Sequence, residues 1–254
     1  MYKPKPLVII ALGGIALSIA SLAVAHGLVK DGWQIVADRL GDLPISVKQT
    51  ACPKSSNQID ATPTQRALTW DNNGASLAIK IPIRLHYRPN GPMKIYAEGR
   101  ADLLSHLRVD DGQIYYDCSV SDDDGNSVRP IPDITVSGIR IDDFELVGLG
   151  LLDMTDVEQP SLSIKVAGAG KIEGSGHTDS LAVSVAGAAK VDFGTLIART
   201  ADIKIAGAGD ARLAVTESAA VKIAGAGQVH WTKRPPHLSS RIGGIGWVGD
   251  SEEE

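Results

Sequence analysis

The sequence predicts an all-β fold, a β-solenoid in which turns of about 19 residues stack on one another. Three observations predict it: a short glycine-centred unit recurs, apolar and polar residues alternate around it, and small residues dominate the composition. Aromatic residues make up only 4% of the 254 residues, whereas 27 are glycine. A fixed period near twenty, with β-branched residues flanking Gly-x-Gly, is typical of repeats that bury a core only when stacked.

The repeats lie between residues 144 and 248. Six copies align, among them Ile164-Lys-Val-Ala-Gly-Ala-Gly-Lys-Ile172 and Val221-Lys-Ile-Ala-Gly-Ala-Gly-Gln-Val229. Subtraction gives spacings of 20, 19, 20, 18 and 19 residues between their first glycines, so the period is nearly constant. These predicted structural corner glycines are Gly148, Gly168, Gly187, Gly207, Gly225 and Gly244.

Alternation within a copy predicts which side chains are buried. Ile164 and Val166 share one face and Lys165 points to the other, because successive strand residues face opposite sides. The glycine segment predicts a tight corner, since glycine reaches positive φ without a Cβ penalty. Ala189 replaces the second glycine of the third copy, so either this position does not need positive φ or that copy is strained. A narrow interior is the expected place for the alanines before the first glycines, Ala167, Ala186, Ala206 and Ala224.

Stacked copies place equivalent outward side chains in ladders. One predicted ladder contains Lys165, Ser184, Lys204 and Lys222. A second contains Glu173, Asp192, Arg212 and His230. Neighbouring lysines are tolerated only where water screens them, so the first ladder is predicted to lie on a solvated face.

The first 25 residues predict a targeting segment. Lys3 and Lys5 precede an uncharged apolar run from Leu7 to Ala25, which ends in a small-x-small pattern. The run is also just long enough to span a bilayer, so a cleaved signal peptide and a retained N-terminal membrane anchor both remain open. Either one predicts that the rest of the chain is exported, to the periplasm or the cell surface.

Residues 26–67 are predicted to be a spacer, because they are rich in proline and serine and weakly patterned. The chain has two cysteines, Cys52 and Cys118, and neither has metal-ligand spacing. An exported compartment permits a disulfide between them, with two unpaired thiols as the alternative.

Residues 68–249 are predicted to form the β domain. Alternating segments precede the repeats at Leu77–Ile81, Leu85–Tyr87, Lys94–Tyr96, Leu107–Val109, Gln113–Tyr116 and Ile134–Val136. Leu103 and Leu104 are expected in a short helical turn. Residues 119–132 are acidic and polar, which indicates a loop, and residues 250–254 form an acidic tail.

Composition and motifs argue against several kinds of chemistry. A net charge of −5 argues against a nucleic-acid-binding surface. The sequence contains no HExxH, GxSxG or Walker A pattern, and its six histidines have no ligand spacing. Gly207-Ala-Gly209-Asp210 is similar to one calcium-binding nonapeptide, but that motif would have to recur. We therefore expect no catalytic residues, no metal and no cofactor.

The second ladder leaves one enzymatic alternative open. β-Helix enzymes that cut polysaccharides place acidic and basic residues on one sheet face, and Glu173, Asp192, Arg212 and His230 could form such a face. A mixed, solvated ladder is the favoured interpretation, because no general acid and base can be singled out.

The repeated Ile-Lys-Val-Ala-Gly-Ala-Gly-Lys-Ile unit resembles the head GIN domain family, also called putative auto-transporter adhesins. The resemblance covers residues 68–249 and is most specific at 144–248. It implies a right-handed β-helix-like fold in an exported, often membrane-tethered protein, and it carries over no catalytic residue. The chain departs from the family where alanine replaces serine, at Ala167 and Ala169, and where Asp follows the corner only at Asp210. The sequence thus predicts a non-enzymatic bacterial cell-envelope protein that acts as an adhesion, binding or scaffolding surface, with a carbohydrate-active β-helix enzyme as the alternative.

Overall fold

Alternating apolar residues form nine β-strands and one short helix in the part of the chain that the computed structural model describes, residues 63–70, 76–118 and 131–250. The elements are β1 Pro63–Ala67, β2 Ser76–Ile79, β3 Ile83–Arg88, β4 Lys94–Arg100, α1 Ala101–His106, β5 Leu107–Asp110, β6 Gln113–Tyr116, β7 Asp133–Ser137, β8 Asp143–Lys233 and β9 His237–Asp250. The predicted all-β class is confirmed, and the helical turn expected at Leu103 and Leu104 is α1. Strand β1 lies inside the range predicted as spacer.

The strands form one curled, open sheet in the order β1-β4-β7-β3-β8-β2-β6-β5, with β9 added to β8. Strands β2 and β3 both pair in parallel with the beginning of β8, which places Leu77 beside Phe144 and Leu85 beside Leu152. Strands β6 and β7 continue the sheet beyond β2 and β3, also in parallel. The start of β8 is therefore covered by other strands of the same chain.

Strand β8 runs through 91 residues, far more than one straight strand contains, so it must change direction along its length. Its last residues pair in parallel with β9, from Ser218 beside His237 to Trp231 beside Asp250. The offset in both pairs is 19 residues, which equals the last spacing between the predicted corner glycines. Parallel pairing at a constant offset brings chemically equivalent residues of successive copies side by side.

Inward-pointing side chains of all these strands form one apolar core. Its largest members are Trp231, Tyr87, Phe144 and Phe193, each at most 2% exposed. Smaller aliphatic residues complete the core, and burial of each contributes about 1.5–3 kcal/mol through the hydrophobic effect.

A buried polar network joins β3 to the segment before β8. The backbone N–H of Ile141 donates to the Tyr87 hydroxyl at 2.9 Å, and that hydroxyl donates to the carbonyl of Ile139 at 3.2 Å. The Gln159 amide, in a side chain only 5% exposed, donates to the carbonyls of Ile141 at 3.0 Å and Ser161 at 2.7 Å. Burial raises the pKa of Tyr87 to about 12, so the phenol stays neutral and keeps its O–H.

Among the described residues, no helix has the length and apolar character needed to cross a membrane. The predicted targeting segment, residues 1–25, lies outside the described residues. So do most of the predicted spacer, Cys52, most of the loop 119–132, and the acidic tail apart from Asp250.

Candidate binding surfaces on the repeat region

The predicted corner glycines all adopt a backbone conformation that other residues rarely enter. Their φ values are 98° at Gly148, 140° at Gly168, 134° at Gly187, 128° at Gly207, 131° at Gly225 and 133° at Gly244. A Cβ atom added at any of the last five would overlap the carbonyl oxygen of the corner glycine one copy earlier. Consecutive copies therefore touch, backbone to backbone, at these glycines. The second glycine of each copy has no positive φ, which explains why Ala189 is accommodated there, buried, in the third copy.

Burial differs between the residues directly before and directly after a corner glycine. Val166 is buried before Gly168, and Ala167 between them is exposed, but Ala169 directly after the corner is buried again. The expectation that the alanines preceding the corners fill the interior is therefore wrong. The buried alanines of the corners lie after the first glycine, at Ala169, Ala188 and Ala189, whereas Ala208 and Ala226 are only partly buried.

Exposed alanines form a flat apolar strip along the outside of the repeats. We call Ala167, Ala186, Ala206 and Ala224 the alanine strip; each occupies the position before a corner glycine, and each is exposed. Methyl side chains do not project far from a sheet, so the strip leaves the sheet surface open to a partner.

A row of cations runs beside the alanine strip, two residues before each alanine in the chain. Lys165, Ser184, Lys204 and Lys222 are all exposed, as predicted for a solvated ladder. The pairing of β8 with β9 places Arg241 directly beside Lys222, so the series continues into the last strand. We call Lys165, Lys204, Lys222 and Arg241 the cationic ladder.

Most of the cationic ladder has no acidic partner among the described residues. Lys204 pairs with Asp202 at 2.7 Å. Lys165, Lys222 and Arg241 form no ion pair with any residue in the described ranges. Their charges remain open to an external anion.

On the other side of the corner, the second predicted ladder borders a shallow groove. Glu173, Asp192, Arg212 and His230 each lie five residues after a corner glycine, and Asp153 has the same position after Gly148. The groove has a volume of about 350 Å³. Ladder residues line it with three carboxylates and one guanidinium, those of Asp153, Glu173, Asp192 and Arg212, and neighbouring residues add the hydroxyls of Ser175, Thr195 and Thr232. We call it the carboxylate groove. Sequence reasoning missed Asp153, although counting from the first copy's glycine would have found it.

The carboxylates of this groove already have partners. Glu173 pairs with Lys171 at 2.7 Å, and Asp153 lies 3.5 Å from the His86 ring. Asp192 accepts a hydrogen bond from the Gly194 backbone N–H at 3.1 Å. The general acid of a glycosidase is typically a carboxyl group held in apolar surroundings. Asp153 and Glu173 are instead about half exposed, at 49% and 50%.

A second cluster of polar side chains lies at the ends of the β5–β6 hairpin. His106 Nδ1 lies 2.8 Å from Asp117 Oδ1, and Arg108 also pairs with Asp117. Cys118 follows directly, and the ligand-type atoms of His106, Asp117 and Cys118 lie within 4.8 Å of one another. Cys118 is buried, and its sulfur could act as a metal-binding thiolate only if the predicted disulfide did not form.

The hairpin explains why sequence spacing did not reveal this cluster. Leu107 pairs with Tyr116, so residues eleven positions apart meet just beyond the strand ends. The predicted partner of Cys118, Cys52, lies outside the described residues, and their pairing stays a prediction.

Comparison with known proteins identifies the repeat region. Residues 132–235 match the family described as "Putative auto-transporter adhesin, head GIN domain". The predicted family resemblance is confirmed. The head GIN match begins just before β7 and ends just after β8, so it contains the alanine strip and the carboxylate groove, while Arg241 and β9 lie beyond it. No curated protein matches the chain.

Solved structures also share features with the head GIN region and its surroundings. A crystal structure described as a putative adhesin from Bacteroides fragilis NCTC 9343 has 17% identity and a TM-score of 0.57, covering 77% of this chain and 100% of its own. One described as a putative lipid binding protein from Parabacteroides distasonis ATCC 8503 has 18% identity and a TM-score of 0.43, covering 76% and 98%. A putative adhesin from Parabacteroides merdae ATCC 43184 has 15% identity and a TM-score of 0.43, with the same coverage. The first of these supports the fold.

Proposed function

We propose that this chain is an exported, non-enzymatic cell-envelope protein whose repeats stack as a right-handed β-helix-like solenoid and present an adhesion or scaffolding surface. The 19-residue offset between β8 and β9 supports the stacked arrangement, as does the contact of each corner glycine with the one before it. The head GIN match supports the adhesin-like role.

The observation that carries the proposal is the cationic ladder beside the alanine strip. Neighbouring strands of a sheet are about 4.8 Å apart, so equivalent side chains recur at that interval along the stacked copies. An exposed row of four cations, interrupted at Ser184, suits an extended anionic partner better than a small molecule, which requires a concave pocket. The proposed ligand is a negatively charged polymer of the envelope, such as an acidic glycan.

Export places the surface where such a polymer occurs. Lys3, Lys5 and the apolar run Leu7–Ala25 support export, with the segment either cleaved or kept as an inner-membrane anchor. A periplasm-active reporter fused after Thr69 is expected to be active, and a fusion active only in the cytoplasm would end this part of the proposal. N-terminal sequencing of the mature protein separates cleavage after Ala25 from retention.

Binding tests the surface itself. The purified chain is sedimented with acidic and neutral envelope polysaccharides of matched length, at low and high salt. The double variant Lys204→Glu/Lys222→Glu is expected to weaken binding of the acidic polymer at least about tenfold, because two attractive charges become repulsive. Lys80→Glu/Lys94→Glu, a double variant of two exposed lysines outside the ladder, is the control with the same change of charge and should bind normally. Equal binding by all three proteins would contradict a role for the cationic ladder.

The second candidate function is that of a carbohydrate-active enzyme. The observation that favours it is that three acidic residues border the carboxylate groove. The same polysaccharides are incubated with the chain, and the release of reducing ends is measured. Product release that is lost in Asp192→Asn or Glu173→Gln would favour the enzyme. Bound but uncut polymer would favour the binding role.

A further inference from the structure

The last strand, β9, exposes a long edge of the sheet. It pairs along all 14 of its residues with β8, and no strand in the described ranges pairs with its other edge. Such an edge presents a row of backbone donors and acceptors that can pair with another strand.

The apolar interior is also open at this end. Ile242 occupies the position that is buried in earlier copies as Ile205 and Ile223, each 2% exposed, yet Ile242 is 41% exposed. Ile245 follows the corner, where the four preceding copies have a small alanine, and it is 78% exposed. Large apolar side chains at the open end of a repeat array require either a polar cap or a partner.

Strand β9 lacks the usual protection against pairing. Natural edge strands are blunted by lysine, proline or inward-pointing charges. Between Ile242 and Gly249 the strand contains only glycine, isoleucine, tryptophan and valine. Charged residues occur at its two outer parts, at Arg241 and Asp250.

We propose that β9 pairs, antiparallel and across a two-fold axis, with β9 of a second copy of this chain. A second copy fits because its open end has the same outline and the same apolar cross-section. The opposite end of β8 cannot serve as the partner surface, since β2 and β3 already pair with it. The arrangement is therefore closed, and it stops at two copies.

The inside–outside pattern of β9 sets the register of this pairing. The residues two positions before and after Gly244 face the interior, and those three positions away face outward. A two-fold axis through Gly244 places each residue before Gly244 opposite the residue equally far after it in the second copy. Interior residues then face interior residues, with Ile242 opposite the partner's Gly246, and outward residues face outward residues. The axis also places Arg241 opposite Trp247, whose ring is 45% exposed and already contacts His230 at a centroid distance of 4.9 Å. Guanidinium and indole groups attract one another in this arrangement.

Sedimentation equilibrium of the full chain in density-matched detergent tests the proposal. The wild-type chain is expected to be a dimer. Ile245→Lys places like charges beside the two-fold axis and should raise the dissociation constant about a hundredfold or more. Because Ile245 is largely exposed within one copy, the variant should retain the wild-type circular dichroism, and its melting temperature should fall only by the part that association contributes. Met93→Lys changes another exposed apolar residue, 62% exposed in the β3–β4 connection, and should leave the dimer intact.

A charge-pair exchange tests the register. Arg241→Glu alone should weaken the dimer, and adding Trp247→Lys should restore it, because the two new charges then face each other across the axis. The proposal is overturned by a monomeric wild-type chain at about 100 μM, a concentration at which even weak dimers form. It is equally overturned by an Ile245→Lys chain that remains dimeric, since association would then use another surface. Assemblies larger than two would show head-to-tail stacking instead of the two-fold pairing.

Discussion

A series of three alanine substitutions separates the two reasons why a corner glycine is required. Gly207 has φ 128°, and its added Cβ would overlap the carbonyl oxygen of Gly187. Gly148 has φ 98°, but its Cβ would meet nothing within 4 Å. Gly170 has extended backbone, and its Cβ would lie 3.2 Å from the carbonyl oxygen of Gly150. Gly207→Ala thus tests backbone strain together with overlap, Gly148→Ala tests strain alone, and Gly170→Ala tests a position with neither the positive φ nor the severe overlap.

The expected cost of Gly207→Ala follows from adding these terms. A non-glycine residue in this region costs about 1–3 kcal/mol. Relieving the overlap with Gly187 costs about another 1–3 kcal/mol. The unfolded chain loses conformational freedom, which returns about 0.4–1 kcal/mol. The net loss is about 3 kcal/mol, which lowers the melting temperature of a chain of this size by about 6–12 °C.

Urea and thermal unfolding of the three variants provide the measurement. Gly148→Ala should lose about 1–2 kcal/mol, because only the strain remains. Gly170→Ala should stay within about 1 kcal/mol of the wild type, as the natural Ala189 at the same position of another copy indicates. Equal stability of Gly207→Ala and Gly170→Ala would refute the account of the corners. Equal stability of Gly207→Ala and Gly148→Ala would show that the neighbouring copy moves away at little cost.

Two further predictions concern the rest of the domain. Tyr87→Phe should cost about 1–3 kcal/mol at pH 8, because the buried Ile141 N–H loses its acceptor. Burial raises the pKa of Tyr87 from 10.0 to about 12, so its contribution is complete below pH 10 and is lost as the pH rises towards 12. Urea unfolding at pH 8 and pH 11 should therefore show a smaller difference between wild type and variant at the higher pH, and an unchanged difference would contradict the assignment. Non-reducing mass mapping should find Cys52 joined to Cys118, with reduction lowering stability by about 4 kcal/mol for a loop of this length; two free thiols in exported protein would rule the bond out.

The sequence alone determined the fold class and the six recurring glycines with positive φ, although it did not single out Gly176, which shares that conformation. Its alternation depends only on the two-residue period of a strand, and Gly148 to Gly244 recur because only glycine tolerates the required φ. The strand alternation and the recurring glycines both depend only on the local backbone conformation, so neither requires knowledge of which strands lie next to each other in the sheet. The two outward-facing ladders follow from counting residues from the corner glycines. The structure added one member to each ladder, Asp153 and Arg241.

Only the tertiary structure decided which alanines face outward and what lies at the two ends of the repeats. Ala167 and Ala169 flank Gly168 and are identical in type, yet Ala167 is exposed and Ala169 is buried. The hairpin that joins His106 to Asp117 is likewise invisible in residue spacing, because strand pairing sets that contact. Ile242 continues an apolar pattern that is buried in every earlier copy, and it is exposed because no strand among the described residues pairs with the outer edge of β9. Burial depends on neighbours in space, so the same residue in the same local pattern has a different environment at the end of the sheet.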